Sequence, residues 1–215
     1  MRLIRSDLWE TRVDRPYPGL TTHAYLWTGG PNGNVLFYGT QTDAEFDDLE
    51  AMGGIAHQYL SHRDEAGPML ARIRERFGAR LHAPAVELLE IGQHAHVDVP
   101  LASRHVDSNG IEVIPTPGHS PGSTCYLVPG AYGQTYLFTG DTIMLGNDGD
   151  WVAGYIPPIS DAGPLAQSLQ LLAPLRPDLV ISSAFPGDTA VHVPGRLHWS
   201  ECVAQARARL ADAAA

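Results

Sequence analysis

Residues 115–123, Pro-Thr-Pro-Gly-His-Ser-Pro-Gly-Ser, constrain the fold more than any other stretch of the chain. Three prolines stiffen the segment, while Gly118 and Gly122 admit backbone conformations that other residues resist. The run Ile111-Glu112-Val113-Ile114 leads in and Thr124-Cys125-Tyr126-Leu127-Val128 leads out. Both runs are short, β-branched or aromatic, and bounded by turn residues, so both are predicted strands. His119 therefore sits in a rigid turn at a strand end, in a conformation set before any ligand arrives. That much backbone control suits binding better than packing.

Two further strand-like runs end on the same kinds of groups. Tyr136-Leu137-Phe138-Thr139-Gly140 closes on Asp141, and His57-Gln58-Tyr59-Leu60-Ser61 closes on His62-Arg63-Asp64-Glu65. Imidazoles and carboxylates presented by several strand ends are the usual makings of a nitrogen/oxygen metal site.

In this order, the strand ending at His62, the PTPGHSPGS segment and the FTGD segment resemble the successive motifs of the metallo-β-lactamase superfamily. The resemblance runs from Tyr25-Leu26 through the Ser168-Leu169 helix to about Asp188. It implies an α/β fold, a four-layer αββα sandwich with its metal site along one edge of the two sheets. It also implies a site built from His62, Asp64, His119 and Asp141.

The chain departs from the family pattern at three places. The first family motif is His-x-His-x-Asp-His, whereas this chain has only His62-Arg63-Asp64-Glu65. Aligned without a gap, Asp64 replaces the second histidine; with a two-residue deletion, Asp64 is the motif aspartate and Glu65 replaces the last histidine. Asp64 is a candidate ligand either way, Glu65 only in the second alignment. The last family histidine falls at Ala184, which cannot bind a metal, and His192 is the nearby substitute. Tyr38 stands where the family usually has an aspartate, which predicts weaker support behind the ligands.

A catalytic zinc site needs three protein ligands and one open position. His62, His119, Asp141 and Asp64 supply that once, and a second metal would need donors the chain lacks. One divalent ion is therefore expected. Zinc leads, and the carboxylate-rich donor set also suits iron or manganese. His94-Ala95-His96-Val97-Asp98 mimics the first motif, but it lies in a polar connector before the Val97–Leu101 strand and is read as a decoy. His23, His57, His82, His105 and His198 are read as surface or packing residues.

Composition bounds the function. At 215 residues the chain suits one sizeable domain with a full core. The net charge is −10 and all fourteen basic residues are arginine, so an acidic surface disfavours nucleic acid. Any grip on a substrate carboxylate falls to an arginine; Arg63, beside the candidate ligands, either provides it or forms a salt bridge. No apolar run approaches a membrane span, and the charged N-terminus lacks a secretory core, which predicts a cytoplasmic protein without a membrane partner. Cys125 and Cys202 have neither disulfide nor metal spacing and are expected to be reduced and structural.

Strands are predicted within Leu3–Val13, Thr22–Thr28 and Asn34–Gly39, and helices over Thr42–Met52, Met69–Phe77, Asp161–Leu175 and His198–Ala213. The Gly-rich, aromatic loop 145–158 is expected to wall the metal site, with Trp151 and Tyr155 touching substrate. The expected activity is a metal-dependent hydrolase. A metal-activated water would attack a small-molecule ester, thioester, lactone or amide, with Asp64 as ligand or proton acceptor. Two alternatives stand beside it: a mononuclear iron oxidase or dioxygenase, and a non-catalytic ligand-binding member.

Overall fold

The strands alternate between two buried faces, and this alternation assembles the layers. In the computed structural model, which describes residues 1–187, 189–194 and 198–215, two large sheets face each other. Asp188, where the family resemblance ends, lies outside the described residues. The first sheet runs in the order β1 (Arg2–Arg5), β2 (Leu8–Glu10), β5 (Tyr25–Trp27), β6 (Val35–Phe37), β7 (His57–Tyr59), β8 (Arg80–Pro84) and β9 (Val99–Leu101). The second comprises β10 (His105–Val106), β11 (Glu112–Pro115), β12 (Thr124–Pro129), β13 (Thr135–Gly140), β16 (Leu179–Ser182) and β18 (Val191–His192).

Side chains point alternately up and down a strand, so one set meets the opposite sheet and the other meets helices. Tyr25, Trp27, Val35, Phe37 and Tyr59 pack against Val113, Tyr126, Tyr136, Phe138 and Ile181 between the sheets, with the Phe37 and Phe138 rings stacked at 3.9 Å. Their neighbours Leu26 and Leu36 turn outward onto α1 (Phe46–Ala51) and α2 (Met69–Phe77), and Ile91 of the short α3 (Leu88–Ile91) packs with Leu60 and Leu70. On the far side, Ile114, Leu137 and Val180 meet α4 (Ala162–Leu172) and α5 (Trp199–Ala213). The result is the expected αββα sandwich.

Several predicted boundaries shorten for tertiary reasons. The first helix begins at Phe46 because Glu45, just before it, accepts the Met1 ammonium and the Arg12 N–H. The run Leu3–Val13 breaks into the β1–β2 hairpin around Asp7, whose carboxylate takes the Trp27 indole, the Tyr136 hydroxyl and the Ala131 N–H. Two smaller sheets complete the structure: β14 (Ile143–Leu145) with β15 (Trp151–Ala153), and β17 (Ala184–Phe185) with β4 (Leu20–Thr22) and β3 (Asp14–Tyr17). Among the described residues no helix is long and apolar enough to cross a membrane.

Strands β6 to β9 run parallel, as do β13 and β16. The C-terminal ends of β7 and β13 consequently open at one edge, beside the β11–β12 turn. Backbone bonding joins the sheets there, since the Thr124 N–H donates to the Ser61 carbonyl.

Candidate metal centre

His62 and Asp64 follow β7, His119 occupies the β11–β12 turn, and Asp141 follows β13. These segments bring His62, His119 and Asp141 into one donor cluster, with Asp64 beside the two imidazoles. His62 Nε2 lies 3.9 Å from Asp64 Oδ2 and 3.6 Å from Asp141 Oδ2. His119 Nε2 lies 3.8 and 3.7 Å from the same two oxygens. Ligands about 2.0–2.1 Å from a tetrahedral ion sit roughly 3.3–3.4 Å apart, so each carboxylate oxygen stands within a few tenths of an ångström of ligating separation from both imidazoles.

Both imidazoles are oriented from behind. His119 Nδ1 is 2.8 Å from the Gly154 carbonyl, which can only accept, so the proton sits on Nδ1 and the Nε2 lone pair faces the cluster. That Nε2 is buried and has no hydrogen-bond partner, a costly state unless an electrophile meets it. His62 Nδ1 lies 2.8 Å from Ser61 Oγ, and Ser61 in turn donates to the Glu65 carboxylate. Asp141 is fixed at its other oxygen, where Oδ1 accepts the Ala184 N–H at 3.0 Å.

The charges ask for a cation. Burial alone would lower the His62 pKa, but its hydrogen bonding to Glu65 and the Glu65, Asp141 and Asp64 carboxylates raise it to about 9. Asp64 is held below the usual carboxylate range by the His119 ring beside it, against partial burial, with help from His62 and Arg63. Two imidazoles and the Asp141 carboxylate, with Asp64 beside them, form a donor set that suits a divalent ion in place of the His62 proton.

Two candidate ligands are corrected. Glu65 turns away from the cluster: it accepts the Ser61 N–H at 2.7 Å and lies 3.4 Å from His62 Nδ1, behind the ring. Its carboxylate thus orients His62 and does not face the same space as Nε2. His192 does not swing in. It is held in β18 by pairing with Val180 and packs edge-on against Trp151 at 6.0 Å.

Other expectations shift as well. Trp151 is buried against Trp199 of α5 and Tyr155 packs in the same outer core, so neither touches the cleft. Loop 145–158 contributes instead the Gly154 carbonyl and Ile156. Arg63 pairs with Glu90 at 3.1 Å, the salt-bridge role. His94 reaches the rim of the cleft without joining the donor cluster. Tyr38 supplies more support than its sequence position suggested, because its hydroxyl donates to the Ile181 carbonyl at 2.7 Å and accepts the Gly140 N–H at 3.0 Å. Gly140 itself is required: at φ +52° a Cβ there would stand 2.1 Å from Ser61 Oγ.

The cluster opens into a cleft of about 640 Å³ with an apolar wall of Pro16, Leu20, Ile156 and Ala184 and a polar side including Gln41 and Ser183. Such a fold and cluster define an αββα protein with a candidate metal site. The chain belongs to the metallo-beta-lactamase superfamily, whose family model matches residues 53–184. Solved structures agree in fold. A metallo-beta-lactamase from Pontibacter korlensis is 18% identical, with a TM-score of 0.72 over 98% of this chain and 97% of that one. A metallo-beta-lactamase of Cronobacter sakazakii described by a HARLDQ motif is 18% identical, with a TM-score of 0.68 over 95% and 94% of the two chains. The protein TTHA1623 in a di-iron-bound form is 22% identical, with a TM-score of 0.63 over 86% and 94%. A comparison with curated proteins finds no match.

Proposed function

We propose that the protein is a metal-dependent hydrolase in which His62, His119 and Asp141, with Asp64, hold one divalent ion. The observation that carries this reading is the buried, unpartnered His119 Nε2 facing His62 Nε2 and two carboxylates. When bound, the ion would supply Lewis acidity, lowering the pKa of a water and polarising a carbonyl near neutral pH. The chain's own residues do the rest. Asp64, half-exposed at the mouth of the cluster and ionised at neutral pH, orients the attacking water or accepts its proton where it does not ligate. Pro16, Leu20 and Ile156 receive the apolar part of an ester, thioester, lactone or amide and keep bulk water from it.

A single ion is favoured by what surrounds the cluster. Ala184 brings no side-chain donor, Glu65 is bonded to Ser61, and His192 packs on Trp151. Zinc suits the two imidazoles. The two carboxylates favour iron or manganese more than an all-histidine set would, and this supports a redox reading as the second choice.

Elemental analysis of protein purified without added metal separates the readings. One equivalent of zinc together with ester or lactone hydrolysis supports the hydrolase, and iron with oxygen consumption supports the oxidase. Failure to take up metal even after reconstitution would sink both and leave a binding role for the cleft. His119→Ala is expected to abolish metal uptake; unchanged metal content would place the site elsewhere.

A further inference from the structure

Glu87 is fully buried, far in sequence from every candidate ligand, and aimed at the backbone behind two of them. It follows β8, whose end lies beside that of β7 in the first sheet. Its Oε2 accepts the Arg63 N–H at 2.8 Å, and its Oε1 accepts the Gly122 N–H at 2.9 Å. Arg63 lies between His62 and Asp64, and Gly122 lies three residues after His119. One carboxylate therefore bridges the two loops that carry His62, Asp64 and His119. The approach is tight, because a Cβ on Gly122 would stand 2.6 Å from the Glu87 Cδ carbon. This gives the second glycine of PTPGHSPGS a physical reason: the carboxylate occupies the space a side chain would fill.

A buried carboxylate is expensive unless its charge is met. Here two backbone donors meet it, with the Arg63 Nε a further 4.0 Å away. Hydrogen bonds to a charged acceptor are short and about twice as strong as neutral ones, and two of them from separate loops fix a distance. We infer that Glu87 is the positioning residue that holds the His62–Asp64 loop and the His119 loop at metal-binding separation. This rests on the metal site proposed above. Glu87 touches neither the ion nor a substrate; it acts through the spacing of the groups that do.

Glu87→Gln tests the inference in the full-length protein. The amide keeps the side-chain shape but presents an N–H group to one of the two backbone N–H donors, which releases one loop. Loss of support behind a metal ligand commonly weakens affinity 10–100-fold, and that is the fall expected for zinc measured by chelator competition. The visible absorption of the cobalt-substituted protein should also change, which a loss of stability alone would not produce. Glu90→Gln, which removes the outer partner of Arg63 without touching the backbone bridge, should leave both readouts unchanged. If Glu87→Gln does not fold, Gly122→Ala displaces the carboxylate from the other side and should give the same loss. A folded Glu87→Gln or Gly122→Ala protein with wild-type zinc affinity and an unaltered cobalt spectrum overturns the inference and leaves the metal site standing. A wild-type protein that takes up no metal overturns both. Metal uptake without hydrolysis sinks only the proposed reaction.

Discussion

Tyr38→Phe isolates one hydroxyl that joins the two sheets next to the candidate metal centre. The ring is 1% exposed and packs between Tyr25 and Phe138, so phenylalanine keeps nearly all of the apolar contact. What disappears is the oxygen that accepts the Gly140 N–H at 3.0 Å and donates to the Ile181 carbonyl at 2.7 Å. The Ile181 carbonyl retains the Thr139 hydroxyl at 3.3 Å and suffers less. The Gly140 N–H loses the acceptor that the hydroxyl provides. A buried donor stranded in this way costs about 1–3 kcal/mol, partly offset because the hydroxyl no longer has to be desolvated. The net expectation is a loss of about 2 kcal/mol. For a chain of this size that corresponds to a fall in Tm of about 4–8 °C. Urea unfolding of the metal-free protein, with an unchanged slope on denaturant, measures it directly. A loss below about 0.5 kcal/mol would refute the claim that Tyr38 holds the Gly140 strand end.

Two other perturbations address the same edge and the buried His57–His82 pair between β7 and β8. Gly140→Ala places a methyl group against Ser61 Oγ at a left-handed backbone position, and the backbone conformation alone costs roughly 1–2 kcal/mol. The displaced Ser61 should release His62 Nδ1, so zinc affinity should fall along with stability; an unperturbed affinity would show that the Ser61 bond is dispensable. His82 is the acid-sensitive group, its pKa lowered to about 3 by burial and by neighbouring His57 and Arg80. The unfolded chain takes up that proton near pH 6.5 and the folded protein does not. The His82 contribution to stability should therefore be full above about pH 7 and decline as the pH falls from 6.5 toward 3, by about 2 kcal/mol at pH 5, against the opposite trend of His62. Urea unfolding at pH 7.5 and 5 should show the wild type losing about 2 kcal/mol relative to His82→Gln at the lower pH, and an unchanged difference between the two proteins would refute the assignment.

Strands and the rigid turn around His119 were legible from residue order, whereas the αββα sandwich and the donor set of His62, Asp64, His119 and Asp141 were what the family resemblance implied. Apolar alternation marks strands whatever surrounds them, and a histidine locked in a Pro/Gly turn carries its conformation locally. The short motif His62-Arg63-Asp64-Glu65 was different, since two alignments fitted it equally well. Extended His62 leads into a 3-10 turn, Arg63–Glu65, that sends Asp64 toward His119 and Glu65 back to Ser61, a direction no spacing reveals.

The supporting groups were invisible for a related reason. The Gly154 carbonyl, the Ala184 N–H and the Glu87 carboxylate act across 35, 43 and 24–35 residues of chain. Backbone donors and acceptors occur at nearly every position, so only the packing of the two sheets selects which of them faces a ligand. Trp151 makes the same point in reverse. Its aromatic character beside the Asp141 strand suggested a substrate wall, yet the apolar surface of α5 draws it into the outer core. The sequence by itself determined where most strands and helices fall and which side chains have metal-binding chemistry, because those depend on local pattern and residue type. The tertiary structure alone decided which of them converge and what holds them there, because hydrogen bonds between distant segments exist only once the sheets have packed.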